Sequence, residues 1–223
     1  MKHEFFFETY PLLRLYLEPG EQVRAETGVM SSYKGEIELQ SKMQKWTLRN
    51  WFASFMGKSL FNNTFIAKTA AEINFAPDSI SKIYYKELDG TTNFYVMPSS
   101  YLVSTKEVDF KLEFLGVKSW FFGSNMGMLN VKGSGSLFLS ARGDIETIKL
   151  KEGEKLIVDE SFLVAFEQSI DYKVRSLGLK NTIFSEEGFV VELTGPGQVV
   201  TQTRKHFESS SGGFMSSVFG IFF

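Results

Sequence analysis

Apolar and polar residues alternate with a period of two along most of the chain. Leu15 and Leu17 alternate with Arg14 and Tyr16, then Glu18-Pro19-Gly20-Glu21 interrupts, and Val23 and Ala25 resume the alternation. A period of two sends successive side chains to opposite faces of an extended strand. Pro followed by Gly at the two central positions suits a type II turn. The pattern recurs as Ile148 and Leu150, Glu152-Gly153-Glu154, then Leu156 and Val158. These stretches read as hairpins. A second hairpin is expected in each unit: Val191-Glu192-Leu193-Thr194, Gly195-Pro196-Gly197 and Val199-Val200-Thr201, and likewise Leu129-Asn130-Val131-Lys132, Gly133-Ser134-Gly135 and Leu137-Phe138-Leu139. Glycine reaches the positive φ of a tight turn without steric cost. Lys68-Thr69-Ala70-Ala71 stands where those glycines would be in the first unit, so a looser turn is expected there.

The alternation is itself repeated. A shift of 62 residues carries Leu88 onto Leu150, Ser99 onto Ser161, Val108-Asp109-Phe110 onto Ile170-Asp171-Tyr172, Phe122 onto Phe184 and Arg142 onto Arg204. A shift of 133 carries Leu17 onto Leu150, Gly20-Glu21 onto Gly153-Glu154, Glu26 onto Asp159 and Leu39 onto Tyr172; from Phe65 onto Leu193 the shift is 128. Five extra residues therefore lie between Gln40 and Phe61. Register held over such a span marks an internal repeat. Units of this size bury little alone and gain a core by packing on their neighbours. The expected fold is all-β: three tandem antiparallel repeats (residues 12–75, 80–142 and 145–205) around a pseudo-threefold axis. They form one compact domain over 1–206, followed by a Ser/Gly linker and apolar tail at 207–223.

Two segments depart from the alternation. Within 41–58, Leu48, Trp51, Phe52 and Phe55 share one helical face, with Trp46 nearby and Lys42, Lys45 and Arg49 near the start. One short amphipathic helix is expected in repeat one, either capping the β-body or touching anionic lipid or a partner. At the other end, Ser209-Ser210-Ser211-Gly212-Gly213 precedes Phe214, Met215, Val218, Phe219, Ile221, Phe222 and Phe223. Phe214, Val218 and Phe222 fall on one helical face, with Phe219 beside them. A tail this apolar has to be covered by its own body, by a neighbouring subunit or by a membrane surface.

Composition narrows the chemistry. The 223 residues carry 24 Lys+Arg against 26 Asp+Glu, no cysteine and two histidines, His3 and His206. Disulfides, thiolate metal sites and cysteine nucleophiles are excluded, and a serine nucleophile lacks a base within the strand region. Asp159-Glu160 and Glu186-Glu187 point to opposite faces of extended backbone and do not converge on a metal. The Gly-x-Gly words precede no helix and are not phosphate loops. No cofactor is expected, and a net charge of -2 gives no electrostatic footprint for nucleic acid. The apolar run at residues 5–7 is too short for a signal peptide, and no stretch approaches the roughly 20 apolar residues that span a bilayer. The expectation is a cytoplasmic protein, peripheral at the inner face of the membrane if the tail meets lipid.

The words Leu-x-Pro-Gly-Glu at 17–21, Leu-Lys-Glu-Gly-Glu at 150–154, Val-Asp-x-x-x-Leu-Val-Ala-Phe at 158–166 and Leu-Thr-Gly-Pro-Gly-x-Val at 193–199 resemble the family named for altered inheritance of mitochondria. The resemblance spans roughly residues 10–205. It departs from the family pattern at Gly57-Lys58-Ser59-Leu60 and before Glu186-Glu187. It implies a fold similar to the trp RNA-binding attenuation protein, with three tandem antiparallel β-sandwich-like repeats of double-stranded β-helix type. It also implies a scaffold or interaction protein, since mitochondrial members are associated with inner-membrane organisation and no enzymatic activity is established for the family. It supplies no catalytic residues. The functional expectation is thus a non-enzymatic scaffold with a protein partner or self-association. The contact candidates are Trp46, Trp51, Phe52, Phe55, Phe214, Val218, Phe219 and Phe222. The alternative is an RNA- or small-ligand-binding module.

Overall fold

The computed structural model describes residues 1–41, 63–114, 127–176 and 189–205. The expected helix at 41–58 and the tail at 207–223 lie outside the described residues, apart from Ser41. What is described is almost wholly antiparallel β, with two short 3-10 turns at Pro98–Ser100 and Glu160–Phe162. A leading strand β1 (Lys2–Phe6) precedes repeat one, which comprises β2 (Leu12–Leu17), β3 (Gln22–Ala25), β4 (Met30–Lys34), β5 (Ile37–Ser41), β6 (Asn63–Ala67) and β7 (Ala71–Phe75). Repeat two comprises β8 (Ser81–Asp89), β9 (Phe94–Val96), β10 (Tyr101–Thr105), β11 (Val108–Phe114) and the long β12 (Gly127–Arg142). Repeat three comprises β13 (Ile145–Leu150), β14 (Lys155–Asp159), β15 (Leu163–Glu167), β16 (Asp171–Ser176), β17 (Phe189–Thr194) and β18 (Gly197–Gln202).

The three segments pair their strands in one and the same way. In repeat three, β18 lies between β13 and β15, and β17 lies between β14 and β16. In repeat one, β7 lies between β2 and β4, and β6 between β3 and β5. In repeat two the single strand β12 does both jobs: its first half pairs β9 and β11, its second half β8 and β10. The register repeats residue for residue. Gly135 pairs Leu88 as Gly197 pairs Leu150, and Leu129 pairs Val96 as Val191 pairs Val158. Even the irregularity is copied, with a register shift between Tyr101 and Val103 matching one between Leu163 and Ala165.

The expected hairpins are not hairpins. β2 and β3 do not pair with each other, nor do β17 and β18; each turn instead carries the chain from one sheet to the other. A turn after a period-two run looks the same in sequence in both cases. The Glu18-Pro19-Gly20-Glu21 turn does have type II character, with Gly20 at φ 89° and Glu21 N–H donating to the Glu18 carbonyl at 3.0 Å. The glutamate of the word closes the corner from outside. Glu21 Oε2 accepts from Glu18 N–H at 2.9 Å, and Glu154 Oε2 accepts from Lys151 N–H at 2.8 Å. The two corners of a repeat are then tied together: Gly20 N–H donates to Ala67 O at 2.8 Å and Ala67 N–H to Glu21 O at 3.0 Å, as Gly153 and Gly195 do with Gly195 O and Glu154 O. The glycine-free turn of repeat one, expected to be looser, is longer. Leu17 pairs Ala71 where Leu150 pairs Gly197, so two more residues lie between Ala67 and Ala71 than between the matching Gly195 and Gly197.

Burial follows pairing. β2, β3 and β7 alternate buried and half-buried residues, one face inward. β10 and β15 are buried along four consecutive residues, Tyr101-Leu102-Val103-Ser104 and Leu163-Val164-Ala165-Phe166, because both faces are covered. The apolar interior divides into three clusters, and each is shared across a boundary. The first, centred on Leu13, Leu15, Ile73 and Phe75, takes in Leu102, Val103 and Phe138 of repeat two. The second, around Val96, Val131 and Leu139, takes in Val164, Ala165 and Val200 of repeat three. The third takes in Met128 from repeat two.

Candidate interaction surface at the open strand edges

Adjacent repeats join by strand pairing. β10 of repeat two pairs β3 of repeat one in the register Val103 to Ala25, Ser104 to Arg24, Thr105 to Val23. β15 of repeat three pairs β9 of repeat two as Ala165 to Val96, Phe166 to Tyr95, Glu167 to Phe94. Under the repeat shifts these are the same three pairs. The flanking hydrogen bond is duplicated too, Glu26 N–H to Leu102 O and Met97 N–H to Val164 O, both 2.9 Å. Two such seams join three repeats. The strands that a third seam would use, β4 of repeat one and β14 of repeat three, each end their sheet and pair on one side only among the described residues.

Each internal seam encloses a side-chain triad: one residue from the donor strand, and two from the neighbouring repeat. At the seam between repeats two and three it is Tyr95, Phe166 and Tyr172, with ring centroids 5.3–5.5 Å apart in all three combinations. Such spacing is favourable for aromatic pairs beyond the area they bury. At the seam between repeats one and two the same positions hold Arg24, Ser104 and Phe110. The Arg24 guanidinium lies 5.7 Å from the Phe110 ring centroid and donates to the Lys106 and Val108 carbonyls. Tyr101 seals that seam: its hydroxyl donates to Arg24 O at 2.8 Å, shares a 3.1 Å bond with Ser104 Oγ, and is pushed up in pKa by burial.

The third set of these positions is Ile157 on β14, Tyr33 on β4 and Leu39 on β5. Here no described residue covers them: Ile157 is 65% exposed, Tyr33 51% and Leu39 52%. A large apolar side chain left that exposed is ordinary when isolated. Three that occupy the equivalent positions of two closed triads are not isolated in the same sense. Sequence reading did not single them out, since each is one apolar residue on an alternating strand. The available signal was the repeat shift, which already placed Leu39 on Tyr172.

The charged groups near the seams are structural. Asn130 Nδ2 donates to Glu113 Oε1 at 3.2 Å, and one repeat on, Arg175 lies 2.6 Å from Glu192 Oε2, with Lys155 Nζ 3.2 Å from its other oxygen. The acid has moved from the outer strand to the central one while the pair stays in place. The Lys155 hydrogen bond, and then the Arg175 charge, hold the Glu192 carboxyl below its ordinary pKa. His3, one of the two histidines, packs among rings, 4.4 Å from Tyr85 and 5.2 Å from Phe138 by centroid. Among the described residues no group of three or more His, Cys, Asp or Glu is placed to hold a metal ion, and no helix is long and apolar enough to cross a membrane. Trp46, Trp51, Phe52, Phe55, Phe214, Val218, Phe219 and Phe222 all lie outside the described residues.

Segments of five or six strands with matching pairing, joined edge to edge and with carboxylate-closed corners, define an all-β protein whose surface features are strand edges. The chain belongs to the mitochondrial biogenesis AIM24 family, whose model matches residues 4–204. The X-ray crystal structure of a Streptococcus pyogenes protein superposes with a TM-score of 0.78 at 21% identity, covering 99% of this chain and 97% of that one. That likeness establishes the fold. No curated protein matches the sequence.

Proposed function

We propose that this protein is a non-enzymatic interaction scaffold. The observation that carries the reading is the exposure of Ile157, Tyr33 and Leu39 on strands that, among the described residues, pair on one side only, in a framework that covers the equivalent positions twice elsewhere. An unpaired edge presents backbone donors and acceptors as well as side chains, which suits it to bind another strand. The perturbed carboxylates each serve a local structural contact, and the Gly-x-Gly words shape corners. On this reading the apolar tail holding Phe214, Val218, Phe219 and Phe222 attaches the scaffold peripherally to a membrane from the cytoplasmic side, with the aromatic segment at Trp46, Trp51, Phe52 and Phe55 as a second contact.

Liposome flotation with the full chain and with a chain ending at Glu208 tests the attachment, alongside RNA filter binding over a salt series. The expected result is flotation that depends on the tail, and no submicromolar RNA affinity. Submicromolar affinity with a steep salt slope would replace the scaffold by the nucleic-acid-binding alternative.

A further inference from the structure

The two internal seams specify what the free edges fit. We infer that β14 of one molecule pairs with β4 of a second copy of this chain, in the register of the internal seams. This names the partner of the scaffold surface proposed above and rests on that reading.

The register follows from the repeat shifts. Ala25 to Val103 and Val96 to Ala165 become Val158 to Ser32; Arg24 to Ser104 and Tyr95 to Phe166 become Ile157 to Tyr33; Val23 to Thr105 and Phe94 to Glu167 become Leu156 to Lys34. The duplicated flanking bond becomes Asp159 N–H donating to the Ser31 carbonyl. Ile157 of one copy then seats on Tyr33 and Leu39 of the other, as Tyr95 seats on Phe166 and Tyr172. The three residues that this contact buries are among the most exposed large apolar side chains described. Edge strands alone attract any strand; the matched triad selects this one. The contact is head-to-tail, so it propagates until the rotation closes a ring or leaves a filament.

The chain has no cysteine, which makes the register directly testable. The pair Val158 and Ser32 is flanked by the Asp159 bond. It is therefore a non-hydrogen-bonded antiparallel pair, with Cα atoms about 4.5 Å apart, inside the range a disulfide spans. A Ser32→Cys chain mixed with a Val158→Cys chain under mild oxidation is expected to give a covalent dimer, and neither chain alone is expected to give one. In sedimentation velocity the unmodified chain is expected to exceed 25.3 kDa and to grow with concentration. Ile157→Lys is expected to return it to a single chain that still unfolds in one cooperative transition, with a melting temperature that no longer depends on concentration.

A 25.3 kDa species at all concentrations would overturn the inference, as would homodimer crosslinks from either single variant or a disulfide formed within one doubly substituted chain. The two proposals fail separately. A monomer that still floats with liposomes sinks only the self-association, and an oligomer that binds RNA with submicromolar affinity sinks only the scaffold reading.

Discussion

Asp89 closes the first corner of the middle repeat without help from a distant residue. Its Oδ1 accepts from Thr91 N–H at 2.8 Å, the Thr91 hydroxyl at 2.7 Å and Thr92 N–H at 3.2 Å, and these bonds hold the carboxyl at about 2. Glu21 and Glu154 serve the matching corners by a longer reach, three residues back along the chain. A carboxyl lowered in the native state stabilises it above the unfolded-state value near 3.8, and that contribution fades as the pH falls from there towards about 2. Asp89→Asn retains the acceptor but not the charge. Calorimetry is expected to show a lower melting temperature than the parent at neutral pH, and a gap between the two that narrows between about pH 4 and pH 2. An unchanged gap over that range would mean the charge is immaterial to the corner. These local devices were the most legible part of the sequence, because Glu18-Pro19-Gly20-Glu21 contains every atom that shapes its turn.

Strand β12 is the element that separates the middle repeat from its neighbours. Where repeats one and three break into two strands, β12 runs for 16 residues and passes from one sheet to the other at Gly133-Ser134-Gly135. Gly133 has φ 101°, and a Cβ there would run into the Glu107 carbonyl oxygen. Gly133→Ala is expected to cost about 1–3 kcal/mol, combining a left-handed conformation with that collision. Urea unfolding should shift its midpoint to lower denaturant with little change in slope. A shift below about 0.5 kcal/mol would show that the bend relaxes around an added methyl group. The same words were read as hairpin turns. Alternation fixes which side chains face inward, and glycine fixes where the chain can bend; neither fixes which strand supplies the next row of hydrogen bonds. That choice is made by Val96, Leu129 and Phe110, whose pairings connect residues far apart in sequence. The significance of Ile157, Tyr33 and Leu39 was hidden for the same reason, since their equivalence to the two closed triads follows only once the sheet order is known.

At the scale of the whole molecule, the repeats share their interiors. Phe138 belongs to the middle repeat by sequence, yet it is fully buried in the cluster built around Leu13, Leu15 and Phe75 of the first. Its ring lies 5.1 Å from Tyr85 and 5.2 Å from His3 by centroid. Phe138→Ala removes side-chain volume from a site walled by two repeats, and a loss of about 3–5 kcal/mol is expected. Circular dichroism and calorimetry should report one transition displaced as a unit. Two resolved transitions would mean that the first repeat melts independently of the other two. The shifts of 62 and 133 residues could be read from the sequence, and they fall on matching strand pairs, Gly135 with Leu88 and Gly197 with Leu150. The seams could not be read, because strands β3, β9 and β14 share a pattern but, among the described residues, only the first two are paired on both sides.

The unbroken course of β12 has a dynamic consequence. Amides in its first half are held by β9 and β11, and those in its second half by β8 and β10. Freeing either half drags on a ribbon that the other sheet still grips. Deuterium should therefore enter this stretch last, through openings as costly as complete unfolding, while the outer rows of β1, β4 and β14 label early.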